Sequence, residues 1–261
     1  MAQNPVINRF GRAAGGNPPT PDATELQGMF DKPAYAGPRP NEQYMTLDSV
    51  VQRTAAMLGT IVLAGAIAWV ALPDRLFLPA LIISAVAGLG LGLFMSFTMR
   101  VNAFTALLYS VFEGVLLGAI SHVFEQRYPG IVIQAVAGTV MVAAGMLFVY
   151  KIGAIRVTPR FTRIVVGATI GVFGLMLVNL IAYLFTPNGL DLRSGGPIAV
   201  IFSLVCIVIA SMNLVMDFDF IERGIRQGAP QRLAWYAAFG LTVTLVWLYL
   251  EILRLIGYAR R

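Results

Sequence analysis

Charge, thiols and imidazoles are scarce in this chain. Asp, Glu, Lys and Arg make up 12% of 261 residues, against about 25% in a soluble domain. The single cysteine, Cys206, lies inside an apolar run, which excludes a disulfide framework and a cysteine metal site and leaves buried packing as its expected role. His122 is the lone histidine and cannot build a metal centre by itself. Lysine occurs only at Lys32 and Lys151, neither in the last apolar run, so a retinal Schiff base is excluded. A GxSxG elbow, an HExxH pair and a Walker loop are also missing, and with them the support for known enzyme chemistry: no catalytic residue, cofactor or metal is predicted.

What the chain has is apolar length. Apolar residues form 57% of the sequence and the mean hydropathy is +0.75. They come in blocks long enough, at about 1.5 Å per residue, to cross a hydrocarbon core of about 30 Å. Seven spans are predicted: Ala55 to Leu72, Leu76 to Phe97, Ala103 to Phe124, Ile131 to Tyr150, Ile164 to Phe185, Ile198 to Phe218, and Leu233 to about Leu250. Pro73-Asp74, Arg100, Pro129-Gly130, Pro159, Pro187-Asn188-Gly189 and Gly228-Ala229-Pro230 punctuate them. The expected fold class is an all-α integral membrane protein. Residues 46–261 form the membrane domain, with Thr46, Asp48 and Ser49 as N-caps for its first helix. Residues 1–45, rich in Pro, Gly, Asn and Ala, read as a disordered cytoplasmic tail without a signal-peptide core, so the first span is expected to do the targeting.

The net charge of +6 does not point to nucleic acid, because the arginines are spread over the ends of apolar blocks rather than gathered in a patch. They act as topology signals. Arg53, Arg100, Lys151, Arg156, Arg160, Arg163, Arg223, Arg226 and Arg232 fall on the side of the N-terminus, and only Arg75, Arg127 and Arg193 on the other. The expected placement is a cell inner (plasma) membrane with the N-terminus cytoplasmic. One conflict follows: seven spans put Arg260 and Arg261 outside, so either that end overrides its own charges or the last helix stops short.

Small residues recur at helix-packing spacing, as Gly114 to Gly118 and Gly167 to Gly171, and Gly88, Gly90 and Gly92 cluster in the second span. A charge within a span costs about 2.5–3.5 kcal/mol on insertion scales, which makes each one a functional candidate. Glu113 has no basic residue within a turn and is either a protonated acid bonded to another helix or part of an ion path. Asp217 and Asp219 sit at the end of the sixth apolar run, the unfavourable end of the helix dipole. Asp219 with Arg223 and Glu222 with Arg226 have i,i+4 spacing and read as solvated ion pairs. Asp217 has no such partner and is the sharper candidate. Glu251 and Arg254, three apart, read as an interfacial pair anchoring the helix end.

Three stretches resemble the Bax-inhibitor, or transmembrane Bax-inhibitor-motif, family in its bacterial form: Tyr109 to Gly118, Val215-Met-Asp-Phe-Asp-Phe-Ile, and Leu245-Val-Trp-Leu-Tyr-Leu-Glu-Ile-Leu-Arg-Leu-Ile-Gly. The resemblance spans roughly residues 50 to 258. It implies six helices around a central seventh and a pH-sensitive calcium leak, with calcium as the transported ion. The family's pH sensor is an aspartate pair on the sixth and seventh helices, where shared charge raises one pKa. The sixth-helix partner maps onto Asp217 and the closing arginine, a counter-charge, onto Arg254. At the second aspartate position this chain has Thr244, so Glu113 or Asp219 is the candidate replacement for ion conduction or pH sensing. The alternative expectation is a non-conducting membrane interaction protein that modulates a membrane protease or a quality-control complex. In either case the bilayer is a partner and nucleic acid is not.

Overall fold

The computed structural model describes residues 43–186 and 189–260. The predicted tail lies outside the described residues up to Glu42, as do Pro187, Asn188 and Arg261. Among the described residues there are seven helices: α1 Leu47–Ala71, α2 Asp74–Thr98, α3 Ala103–Arg127, α4 Ile131–Lys151, α5 Pro159–Ala182, α6 Pro197–Arg226 and α7 Leu233–Ala259. Each contains a stretch long and apolar enough to cross a membrane.

The helices begin where local chemistry satisfies their free N–H groups. Thr46 and Ser49 form a reciprocal capping box at α1, and Asn102 and Thr105 form another at α3. Thr158 caps α5 with Pro159 in its first turn, so this helix starts five residues before the predicted span. At the other ends α6 and α7 run well past the apolar blocks. The end of α6 carries the Asp219–Arg223 and Glu222–Arg226 ion pairs, and in α7 the Glu251–Arg254 pair lies within the helix, which continues through further apolar residues to Ala259.

Helix α7 is the centre of the bundle. It packs directly on α1, α3, α4 and α6. The remaining two helices reach it through side chains: Met95 of α2 joins a cluster with Phe239, and Phe173 of α5 lies 5.4 Å from Trp247. Outward-facing Val70, Phe97, Phe104 and Leu180 are exposed, as lipid contact requires.

Residues 43–45 and Arg260 mark opposite ends of the bundle. Residues 43–45 pair with the α6–α7 connection, where the Met45 N–H donates to Ala229 O at 2.8 Å and the Gln231 N–H donates to Gln43 O at 2.8 Å. Met45, placed by sequence in the tail, is 2% exposed and packs on Val50, Ile221 and Ala237. At the far end the Arg260 guanidinium donates to Pro129 O at 3.0 Å and to Gln134 at 2.7 Å, beside the α3–α4 turn. Helix α7 therefore runs the whole length of the bundle, and the Arg260 guanidinium is held by α3–α4 acceptors.

Glycine spacing has two different outcomes. A Cβ on Gly114 would lie 2.5 Å from Ile61 O, and one on Gly118 would lie 2.5 Å from Gly65 O, so α1 and α3 touch through their backbones. Around Gly167 and Gly171 a Cβ would meet nothing, and their predicted packing role has no partner among the described residues. Gly118→Ala is therefore expected to destabilise by about 1–3 kcal/mol through overpacking. Gly171→Ala is expected to stay within about 0.5 kcal/mol of the parent. Unfolding midpoints in detergent distinguish the two.

Candidate functional site

Helix α6 continues about two and a half turns beyond Asp217. This corrects the sequence reading that set Asp217 and Asp219 against the negative end of the dipole, whose effect is confined to the last turn. Asp217 instead sits mid-helix against α7. Its Oδ2 is shielded from solvent and has no hydrogen-bond partner, and its Oδ1 would be 3.5 Å from a Cβ on Gly240. The Thr244 side chain, one turn along α7 from Gly240, is its polar neighbour. The Thr244 hydroxyl also lies 3.2 Å from Gly240 O. With a single proton to give, it cannot fully satisfy both acceptors. Among the described residues no charged side chain bears on Asp217. Two facing positions on α6 and α7 are thus brought together as an aspartate and a threonine, with Gly240 in ordinary van der Waals range of the carboxylate.

The other acidic candidates lie elsewhere. Asp219 is two residues on, about 200° around the helix from Asp217. It is buried and pairs with Arg223. On the next turn Glu222 accepts a hydrogen bond from the Tyr150 hydroxyl of α4 and lies 3.6 Å from Arg226. Glu113 is buried on α3 near Tyr109, a turn before it, with its Oε2 3.4 Å from the position of a Gly88 Cβ on α2. Helices α3 and α6 share no packed interface. Neither Glu113 nor Asp219 therefore stands in for the missing carboxylate opposite Asp217.

The largest buried charge cluster is one the sequence only half revealed. Glu251 has no exposed surface, and both of its oxygens are bound by Arg193 at 2.8 Å each, a bidentate fork. Arg254 adds a third contact at 3.0 Å. The predicted Glu251–Arg254 pair forms, but as part of a buried triad and not at an exposed helix end. Arg254 is the counter-charge of Glu251; about 15 Å of helix separates it from Thr244. Arg193 comes from the α5–α6 connection and also stacks over Phe202, 5.1 Å from the ring centroid. Its one sequence signal is being one of only three arginines, with Arg75 and Arg127, in the connections expected to lie opposite the N-terminus.

No three His, Cys, Asp or Glu side chains converge among the described residues. The model of a family described as Bax inhibitor 1 like matches residues 4–261. A search of curated proteins found no match.

Proposed function

The chain belongs to the Bax inhibitor 1 like family, and from that premise we propose that it is a pH-sensitive cation leak, calcium included, gated where Asp217 of α6 meets Thr244 of α7. The observation that carries the reading is the orphaned Oδ2 of Asp217. A buried acceptor without a donor costs about 1–3 kcal/mol, and such groups persist in membrane spans chiefly at ion and proton pathways. When ionised, Asp217 attracts a cation into the α6–α7 contact; when protonated, it is a neutral plug beside the Thr244 side chain. Calcium prefers about six to eight oxygen ligands. One carboxylate and one hydroxyl make a poor resting place for it, which suits passage rather than storage. The activity is passive transport without cofactor or catalysis.

The end of the bundle that carries residues 43–45 faces the cytoplasm in this reading, because Arg53, Arg100, Lys151 and Arg232 belong to that end. The membrane is the cell inner membrane.

Thr244→Asp tests the gate by restoring the facing carboxylate. Two carboxylates at one site cannot both ionise freely. The midpoint of calcium flux against pH in proteoliposomes is therefore expected to move upward relative to the parent, and Thr244→Asn should leave it in place. An unmoved midpoint in Thr244→Asp would separate the α6–α7 contact from gating and favour the second reading, a non-conducting protein that modulates a membrane protease or quality-control complex. The substitution of a carboxylate by Thr244 is the observation behind that second reading.

A further inference from the structure

Helices α1 and α4 both pack on α7 but not on each other. The gap between them is a cavity of about 680 Å³ whose floor is formed where α1 meets α3 at Gly65, Gly114 and Gly118. Leu241 and Leu245 of α7 form its back wall. Its lips are Val62 and Ala66 on one side and Val136 and Val140 on the other. Val62, Val136 and Val140 are themselves exposed.

The hydroxyls that reach this cavity are already used. Ser121 and Tyr249 are bonded to each other at 2.6 Å, and Thr139 donates to Ala135 O at 2.8 Å. Water entering it would find no free side-chain hydroxyl, and an apolar cavity of this kind excludes water. An ion would find no carboxylate, which separates the cavity from the pathway at Asp217. The lips are continuous with the outward apolar surfaces of α1 and α4, which are in contact with bilayer hydrocarbon by virtue of spanning it.

We propose that the groove between α1 and α4 is a lipid site that holds an acyl chain of a bilayer phospholipid, seated against α7. The chain fills the volume that helix packing leaves open where the Gly65–Gly118 contact pulls α1 towards α3 and away from α4. Helix–helix attraction in lipid comes from packing rather than from a hydrophobic drive, so an inserted chain supplies contacts that α1 and α4 do not give each other.

The test uses the full chain in proteoliposomes containing a phosphatidylcholine with a photoactivatable group midway along one acyl chain. Crosslinks are expected to concentrate on residues 62–69 and 136–147, to be lost in the Ala66→Trp/Ala144→Trp double variant that fills the groove, and to persist in Leu180→Trp on the outer face of α5. Should the double variant not fold, the distribution on the parent protein decides the matter. Labelling no denser at the groove than on the outer face of α5 overturns the proposal, and so does labelling at the groove that the folded double variant leaves unchanged.

Discussion

Glu251→Gln is expected to cost about 3–5 kcal/mol of stability, the range for removing one partner of a buried ionic group. The carboxylate is wholly enclosed and is bound by two guanidiniums, one from the α5–α6 connection and one from its own helix. A glutamine keeps the shape but offers one acceptor oxygen where two are used, turns an NH2 towards an arginine, and leaves two cations without an anion. The same change at Glu222, whose pair with Arg226 is half-exposed, is expected to cost well under 1 kcal/mol. Unfolding midpoints of the two variants in the same detergent compare the sites directly. Equal midpoints would mean that the triad is solvated in the membrane protein and contributes no more than a surface pair. Because Arg193 links the α5–α6 connection to α7, early proteolysis there in Glu251→Gln is the accompanying sign.

Asp217→Asn has the opposite profile, with a small effect on folding and a large one on transport. The amide matches the carboxylate in size and brings an N–H2 donor to a place where the carboxylate Oδ2 has no partner. A neutral amide is cheaper to bury than an ionised carboxylate, so stability is expected to hold or rise. What the variant cannot do is change charge with pH. Flux through the α6–α7 contact is therefore expected to lose its pH dependence, an effect read as a flat profile rather than as lost protein.

The seven helices were legible in the sequence because spanning a bilayer demands long apolar runs, and these run without ambiguity from Leu47 to Ala259. Helix ends were less so. The last turns of α6 are polar and held by ion pairs that local hydropathy does not register, and in α7 the charged Glu251 and Arg254 mask the apolar turns that follow them. Gly114 and Gly167 occur in the same small-residue spacing, yet only the first meets another backbone; which helix stands opposite is a tertiary fact. The facing of Asp217 and Thr244 agrees with the positions the family resemblance marked out, whereas the proposed substitutes Glu113 and Asp219 point to α2 and to Arg223. Arg193 was read as a loop charge because nothing near it in the chain is acidic except Asp191; its partner lies 58 residues on.

The central claim is that Asp217 gives this protein a pH-dependent cation path. The most direct measurement is calcium entry into dye-loaded proteoliposomes at about pH 6, 7 and 8, a window spanning the range in which a perturbed carboxylate changes charge, with the parent chain and Asp217→Asn side by side. The account predicts flux that varies with pH in the parent and a flat profile in the variant. Flux with the same pH dependence in both would take Asp217 out of the mechanism, and a parent that passes no calcium at any of these pH values would contradict the leak itself.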